Sequence, residues 1–258
     1  MTAMAKIIAV HSYKGGTGKT LLSVNLAATF AKRGKKVCLF DLDFRAPSLA
    51  TLLKVEKSDH WLNDYLNGTC EIDKVLIDFS PKVGSTEKLF VGLANPATEA
   101  IRDMSGKDRK WEMRALGRLL ALRDSLLADM HFDYLIFDTS PGLQYSSINA
   151  IVSADLVLVA TTFDRSDVDG TKRMLRELYD LFEKKTEVVL NKVLDAAKSR
   201  KLEIEEKTKD IYQAPLLGVV PCFCDILRAE GSIVFAHEKP DHPFTRILDE
   251  MASEIEKT

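Results

Sequence analysis

Apolar positions along this chain follow two rhythms. Short runs of consecutive apolar residues, such as Ile7-Ile8-Ala9-Val10 and Leu156-Val157-Leu158-Val159, alternate with longer segments where apolar residues return every three or four positions. The first rhythm suits a parallel strand covered on both faces, the second an amphipathic helix. The pattern predicts strands over residues 6–12, 36–41, 88–93, 133–138, 156–160, 187–190 and 216–219. It predicts helices over 19–33, 111–130, 167–183, 196–211, 226–235 and 242–256. Such alternation implies right-handed crossovers and an α/β fold: a doubly wound, mainly parallel sheet with helices on both faces. With no internal repeat and no long linker, residues 1–258 are expected to form one domain. The stretch 94–109, with Pro96 and Gly106, is the least regular and reads as a surface excursion.

Composition adds bounds. Of the 258 residues, 46% are hydrophobic, enough for a large core. A net charge of −2 supplies no global basic field for nucleic acid or an anionic membrane. The opening Met-Thr-Ala-Met-Ala-Lys-Ile is too short in its apolar part for a signal peptide, and no run approaches the length of a membrane span. Cys38, Cys70, Cys222 and Cys224 show neither a disulfide framework nor Cys-x-x-Cys spacing. A reduced, cytoplasmic enzyme is the expectation.

The segment Lys14-Gly15-Gly16-Thr17-Gly18-Lys19-Thr20 changes the picture most. It lies between the first predicted strand and the first predicted helix. A glycine-rich turn there presents bare backbone N–H groups, backed by the positive end of the helix dipole, as a cradle for phosphate. In this spacing Lys19 reaches the β- and γ-phosphates of a nucleoside triphosphate and the Thr20 hydroxyl is placed for Mg²⁺. Hydrolysis also needs carboxylates for the metal and the attacking water. Two predicted strands end in candidates: Phe40-Asp41-Leu42-Asp43, and Phe137-Asp138 before Thr139-Ser140-Pro141-Gly142. In an open α/β sheet, ligands bind beyond the carboxyl ends of strands. If these two strands flank the first, their acids converge on the phosphates.

With those residues in view, the chain resembles the MinD/ParA family of P-loop ATPases. Lys14 looks like the extra lysine of their deviant Walker A motif. Asp41-Leu42-Asp43 with Pro47 resembles their first switch, and Asp138 to Gly142 their Walker B and second switch. The likeness covers nearly the whole chain, is weakest over 94–109, and follows MinD spacing more than that of plasmid ParA proteins with an added DNA-reading domain. It implies an ATP-driven, nucleotide-dependent homodimer with Mg²⁺ as cofactor, acting in positioning or partitioning with an unidentified activating protein or cargo. By the resemblance, Gly15 to Leu21 surround the phosphates and Lys19 stabilises them. Thr20, Asp43 and Asp138 serve the metal, with Asp43 also orienting the water. Asp41 supports the first switch, and Lys14 crosses to the partner's nucleotide. Gly218-Val219-Val220-Pro221, followed by Asp225 to Arg228, lies near the base.

Asn191 ends a predicted strand and its amide can pair with adenine N6 and N7, which favours ATP; in related ATPases an asparagine here does so. The alternative is that it only closes the strand. Asp195 stands one residue late for a guanine-reading motif. Cys222 and Cys224, one residue apart, support the alternative of a metal carrier or metal-centre maturation ATPase, with a second copy completing four ligands. The basic run Arg102, Lys107, Arg109, Lys110, Arg114, Arg118 and Arg123 is interleaved with acids and reads as a solvated helix face. The sequence argues against specific DNA binding and leaves non-specific contact open. The last helix has an acidic polar face (Asp249, Glu250, Glu254, Glu256), repelled by anionic lipid, so it is expected to pack on the sheet. His11, before the phosphate loop, is expected to pack or to satisfy backbone there.

Overall fold

The computed structural model describes residues 5–84, 88–179, 182–194, 201–229 and 234–257. Its strands are β1 (Lys6–His11), β2 (Lys36–Leu42), β3 (Ile77–Asp78), β4 (Lys88–Gly92), β5 (Tyr134–Thr139), β6 (Leu156–Thr161), β7 (Lys185–Val193) and β8 (Leu216–Pro221). The helices are α1 (Lys19–Lys32), α2 (Leu49–Leu52), α3 (Leu62–Asn67), α4 (Ser80–Val83), α5 (Thr98–Ser105), α6 (Arg109–Leu122), α7 (Tyr145–Ser153), α8 (Arg165–Met174), α9 (Lys201–Tyr212), α10 (Cys224–Arg228), α11 (Phe235–Glu238) and α12 (Pro243–Lys257). One sheet runs in the order β3-β4-β2-β5-β1-β6-β7-β8. All its pairings are parallel except β3 with β4.

Each central strand feeds two cores, because successive side chains leave opposite faces. Ile8 and Val10 of β1, with Leu39 and Ile136, pack against α1 and α12 through Phe30, Leu248 and Met251. Ile7 and Ala9, with Phe40, Leu135 and Phe137, pack against α6 and α7 through Trp111, Leu119 and Ile151. Burial on both sides is why these strands read as unbroken apolar runs. At the far end of α1, Arg33 staples α12, donating to Asp249 Oδ1 (2.9 Å), Glu256 Oε2 (2.7 Å) and Ser253 Oγ (2.7 Å). The final helix therefore packs on the sheet side, as its sequence predicts.

Several expectations need correction. β1 is flanked by β5 and β6, and β2 lies beyond β5. The acids still converge, because parallel register sets Asp41 beside Asp138 and Asp138 beside Val10. Residues 94–109 contain a regular helix, α5. Its composition hid it: only Met104 is buried, so the apolar stripe is nearly empty. The helices predicted over 111–130 and 167–183 start earlier and continue as wider π turns, Arg123–Asp129 and Leu175–Tyr179. The helix predicted over 226–235 is two short ones, α10 and α11, with 230–233 outside the described residues. Residues 195–200, including Asp195 and the start of the predicted 196–211 helix, also lie outside them.

Candidate functional site

The loop between β1 and α1 is shaped by two glycines in left-handed conformation, Gly16 (φ 79) and Gly18 (φ 94). Side-chain-bearing residues rarely adopt either angle. Gly18 is the N-cap of α1 and offers no side chain, and the first turn holds no acid. The leading N–H groups and dipole of a 14-residue helix are thus open to an anion. Thr17 and Lys19 are buried, and Thr20 and Leu21 half-buried. The Thr17 hydroxyl has no hydrogen-bond partner among the described residues. Burial pulls the Lys19 ammonium below its ordinary range, while Asp138, Asp43 and Asp167 pull it back. A phosphate beside it would add a further anion that favours the charged ammonium.

Three carboxylates close the site. Asp138, at the end of β5, is buried, and Ser23 of α1 donates to its Oδ1 (3.0 Å). Thr20 also hydrogen-bonds it. Burial nevertheless pushes its pKa to about 6, against the opposing pull of Thr20 and Lys19. Asp41 is buried too, and burial followed by the Asp138 charge raises it well above the carboxylate range. Its two oxygens accept from the backbone N–H groups of Asp43 (3.0 Å) and Leu49 (3.2 Å), which pins the loop after β2. Asp43, half-buried, accepts from Ala46 N (3.1 Å) and from Ser140 Oγ (3.0 Å). One hydroxyl therefore ties the loop after β2 to the loop after β5. Acids beside the Thr20 hydroxyl are hard oxygen donors of the kind Mg²⁺ takes, and a dication there would offset the burial, and the lesser mutual repulsion, that raise Asp41 and Asp138.

Lys14 stands at the rim. Its Nζ donates to Asp164 Oδ1 (3.1 Å) and Ser166 Oγ (2.9 Å) at the start of α8. The Ser166 hydroxyl, then Lys14, hold the Asp164 carboxyl down at about 2. Lys14, Gly15, Gly16, Thr17, Asp164 and Lys192 line an open cleft of about 510 Å³. Large apolar side chains are exposed at this edge of the sheet, Phe163 and Leu194 in the cleft itself. Tyr13, Leu143, Tyr145, Phe163 and Leu194 are five of the seven exposed large hydrophobic residues among those described. All five follow the carboxyl ends of β1, β5, β6 and β7. Tyr13 can pack against α8 only because residue 170 is glycine: a Cβ there would lie 2.0 Å from the ring.

Other sequence candidates land as follows. Asn191 is buried, and its Nδ2 donates to Thr17 O (2.6 Å) in the phosphate loop itself. Pro221 ends β8 in register with Val193. The Asp225 carboxylate pairs with His242 Nε2 (2.8 Å). His11 is buried, its Nδ1 2.7 Å from Thr139 Oγ1, and burial lowers its pKa to about 3, so the ring is neutral. Cys222 is half-buried and Cys224 exposed, and no third metal ligand gathers with them among the described residues. In the basic run, Lys107 pairs with Asp103 and Arg123 with Asp155, while Arg118 lies over the Tyr65 ring. Arg102, Arg109, Lys110 and Arg114 are exposed with no ion pair among the described residues. Ser23, Asp164, Ser166 and the role of Lys192 were not foreseen, whereas Ser140 falls in the expected second switch. Asp164-x-Ser166 directly after an apolar strand is a helix-cap signal that could have flagged two of them.

A phosphate cradle between β1 and α1, with strand-end carboxylates on the parallel sheet beside it, defines a P-loop nucleoside triphosphatase architecture. A family model described as an AAA domain matches residues 5–196. The septum site-determining protein MinD of Synechocystis sp. is 30% identical over 220 residues, 84% of this chain and 76% of that protein. The cell division ATPase MinD of Pyrococcus furiosus superposes with a TM-score of 0.78 at 25% identity, covering 98% of this chain and 99% of that one. MinD of Pyrococcus horikoshii, complexed with Mg-ADP, superposes at 0.77 with 22% identity, covering 98% and 97%. The chain belongs to the MinD/ParA family of P-loop ATPases.

Proposed function

We propose that this protein is an ATP-driven dimerisation switch that positions or partitions an intracellular cargo in the cytoplasm. The observation that carries the reading is the pairing of a phosphate loop with an apolar rim at the same edge of the sheet. A monomer gains nothing by exposing Tyr13, Leu143, Tyr145, Phe163 and Leu194 around its nucleotide mouth; a facing copy would cover them. The Mg-ADP in the Pyrococcus horikoshii relative supports the same pairing of nucleotide and metal here. Mg²⁺, which Thr20, Asp43 and Asp138 would hold, would neutralise charge developing on the phosphates.

The chain's own groups divide the work. The loop amides and Lys19 hold the phosphates. Thr20, Asp138 and Asp43 hold the metal or its waters, and Asp43 orients the attacking water. Asp41 keeps Asp43 in place. Ser140 bonded to Asp43 makes the two switch loops answer together. Lys14 would leave Asp164 and Ser166 and reach the partner's nucleotide, adding a cation to the transferring phosphoryl group. Releasing it costs little, because the pair is solvent-exposed. Reading of adenine by Asn191 is the alternative role for this amide, open to it only if its bond to Thr17 O breaks. Contact of Arg102, Arg109, Lys110 and Arg114 with DNA would be non-specific. Nothing in the geometry favours the metal-carrier reading, which needs a second copy's thiols at Cys222 and Cys224.

Light scattering with Mg·ATP, Mg·ADP and no nucleotide tests the proposal. A doubling of mass with ATP alone, reversed as phosphate is released, is expected; an unchanged monomer with ATP bound would refute it.

A further inference from the structure

β7 loses its regular register between Leu190 and Val193. Within that irregularity Lys192 takes φ 57, a left-handed angle costly for a residue with a side chain. The result is that two neighbouring side chains reach the phosphate loop, whereas in a regular strand they would point to opposite faces. Asn191 Nδ2 donates to Thr17 O at 2.6 Å, and Lys192 Nζ donates to Gly16 O at 2.6 Å. The Asn191 amide is itself oriented, because its Oδ1 accepts from Lys192 N (2.8 Å).

The consequence follows from peptide geometry. In a trans peptide the C=O and the next N–H point in opposite directions. Holding the Gly16 carbonyl towards β7 turns the Thr17 N–H away from it. Holding the Thr17 carbonyl does the same to the Gly18 N–H. Both amides are then aimed away from β7 before any ligand arrives. Left alone, Gly16 and Gly18 would sample both signs of φ, and the loop would lose that freedom only on binding phosphate. The contact also accounts for Gly18, since a Cβ there would lie 2.2 Å from Asn191 Nδ2.

We propose that Asn191 and Lys192 form a clasp that preorganises the phosphate loop through the carbonyls of Gly16 and Thr17. They are positioning residues, and in this state the Asn191 amide is spent on the loop, not on a base. The proposal rests on the reading of residues 14–20 as a phosphate site, and its test separates the two. Calorimetric titrations of Mg·ATP, Mg·GTP and magnesium tripolyphosphate are made against the wild-type chain, Asn191→Ala, Lys192→Ala and Lys192→Arg. The clasp predicts a loss of about tenfold in each alanine variant for all three ligands alike, the scale of one hydrogen bond. Lys192→Arg, which keeps a donor, should recover most of it. Tripolyphosphate has no base, so unchanged tripolyphosphate affinity with weaker ATP in Asn191→Ala overturns the clasp in favour of base reading. Failure of Lys192→Arg to recover affinity that Lys192→Ala loses also overturns it. If the wild-type chain binds none of the three ligands, the phosphate-site reading itself fails.

Discussion

Asp138→Asn should make the ligand-free protein more stable at pH 7, although it removes a carboxylate proposed to hold the metal. Burial lifts the Asp138 carboxyl from 3.8 to about 6, a value that already includes the attraction of Lys19 and the hydroxyls of Thr20 and Ser23. A carboxyl raised on folding holds its proton in the folded state over a window where the unfolded chain has lost it. Its contribution favours the folded state below about pH 4 and drains away as pH rises through about 6. A rise of roughly two pH units corresponds to about 3 kcal/mol at pH 7. A neutral amide avoids that cost but satisfies one hydroxyl donor fewer, giving back about 1 kcal/mol. The net gain of about 2 kcal/mol should raise the melting temperature by about 4–8 °C for a chain of this size. Calorimetry without nucleotide or magnesium, at pH 4.5 and pH 7, reads it. The advantage should be large at pH 7 and nearly absent at pH 4.5, while magnesium-dependent nucleotide binding is lost at both. A variant no more stable than wild type at pH 7, or equally advantaged at both pH values, would refute the argument.

Lys14→Ala should abolish ATP-dependent dimerisation or phosphate release while ATP affinity by calorimetry stays within about threefold, since the side chain lies at the rim on Asp164 and Ser166; full turnover would reject its role in trans. Asp43→Ala should accumulate an ATP-bound dimer on size exclusion, with release of phosphate slowed at least about a hundredfold; rapid return to monomer would count against Asp43 as the group that orients water. Leu143→Asp combined with Tyr145→Asp should weaken the ATP dimer at least about a hundredfold by ultracentrifugation and leave monomer affinity for ATP unchanged. Magnesium-dependent ATP binding should weaken on going from pH 7.5 to pH 5, because the Asp138 proton competes with the metal below about 6; flat binding across that range would remove Asp138 from the metal site.

How much of this was written in the sequence depends on how local each feature is. Strands β1, β2, β5 and β6 were legible because both faces of each are buried, which forces consecutive apolar residues, and the half-buried edge strand β8 still carries a short apolar run. β3 has only two residues and no pattern to show. The phosphate loop was legible because glycine, lysine and threonine at fixed spacing satisfy a local demand. The partners of Lys14 and Asn191 were not. Asp164 is 150 positions from Lys14, and Thr17 is 174 from Asn191. Sheet order was equally silent: only register pairing shows that Asp41 reaches the site across β5. The left-handed turn at Lys192 left no mark, because that angle usually calls for glycine or asparagine and the residue there is lysine.

The staple between Arg33 and α12 lies at the opposite end of α1 from the phosphate loop, about 20 Å away along the helix axis. The phosphate loop and the carboxylates beside it are at the other end of the sheet. A dye, bead or surface tether attached to the solvent side of α12, near Glu250, would therefore ride on a part of the molecule that the nucleotide does not touch. The protein can be held by one end and watched at the other, so single-molecule recordings of the proposed pairing and release need not disturb what they measure.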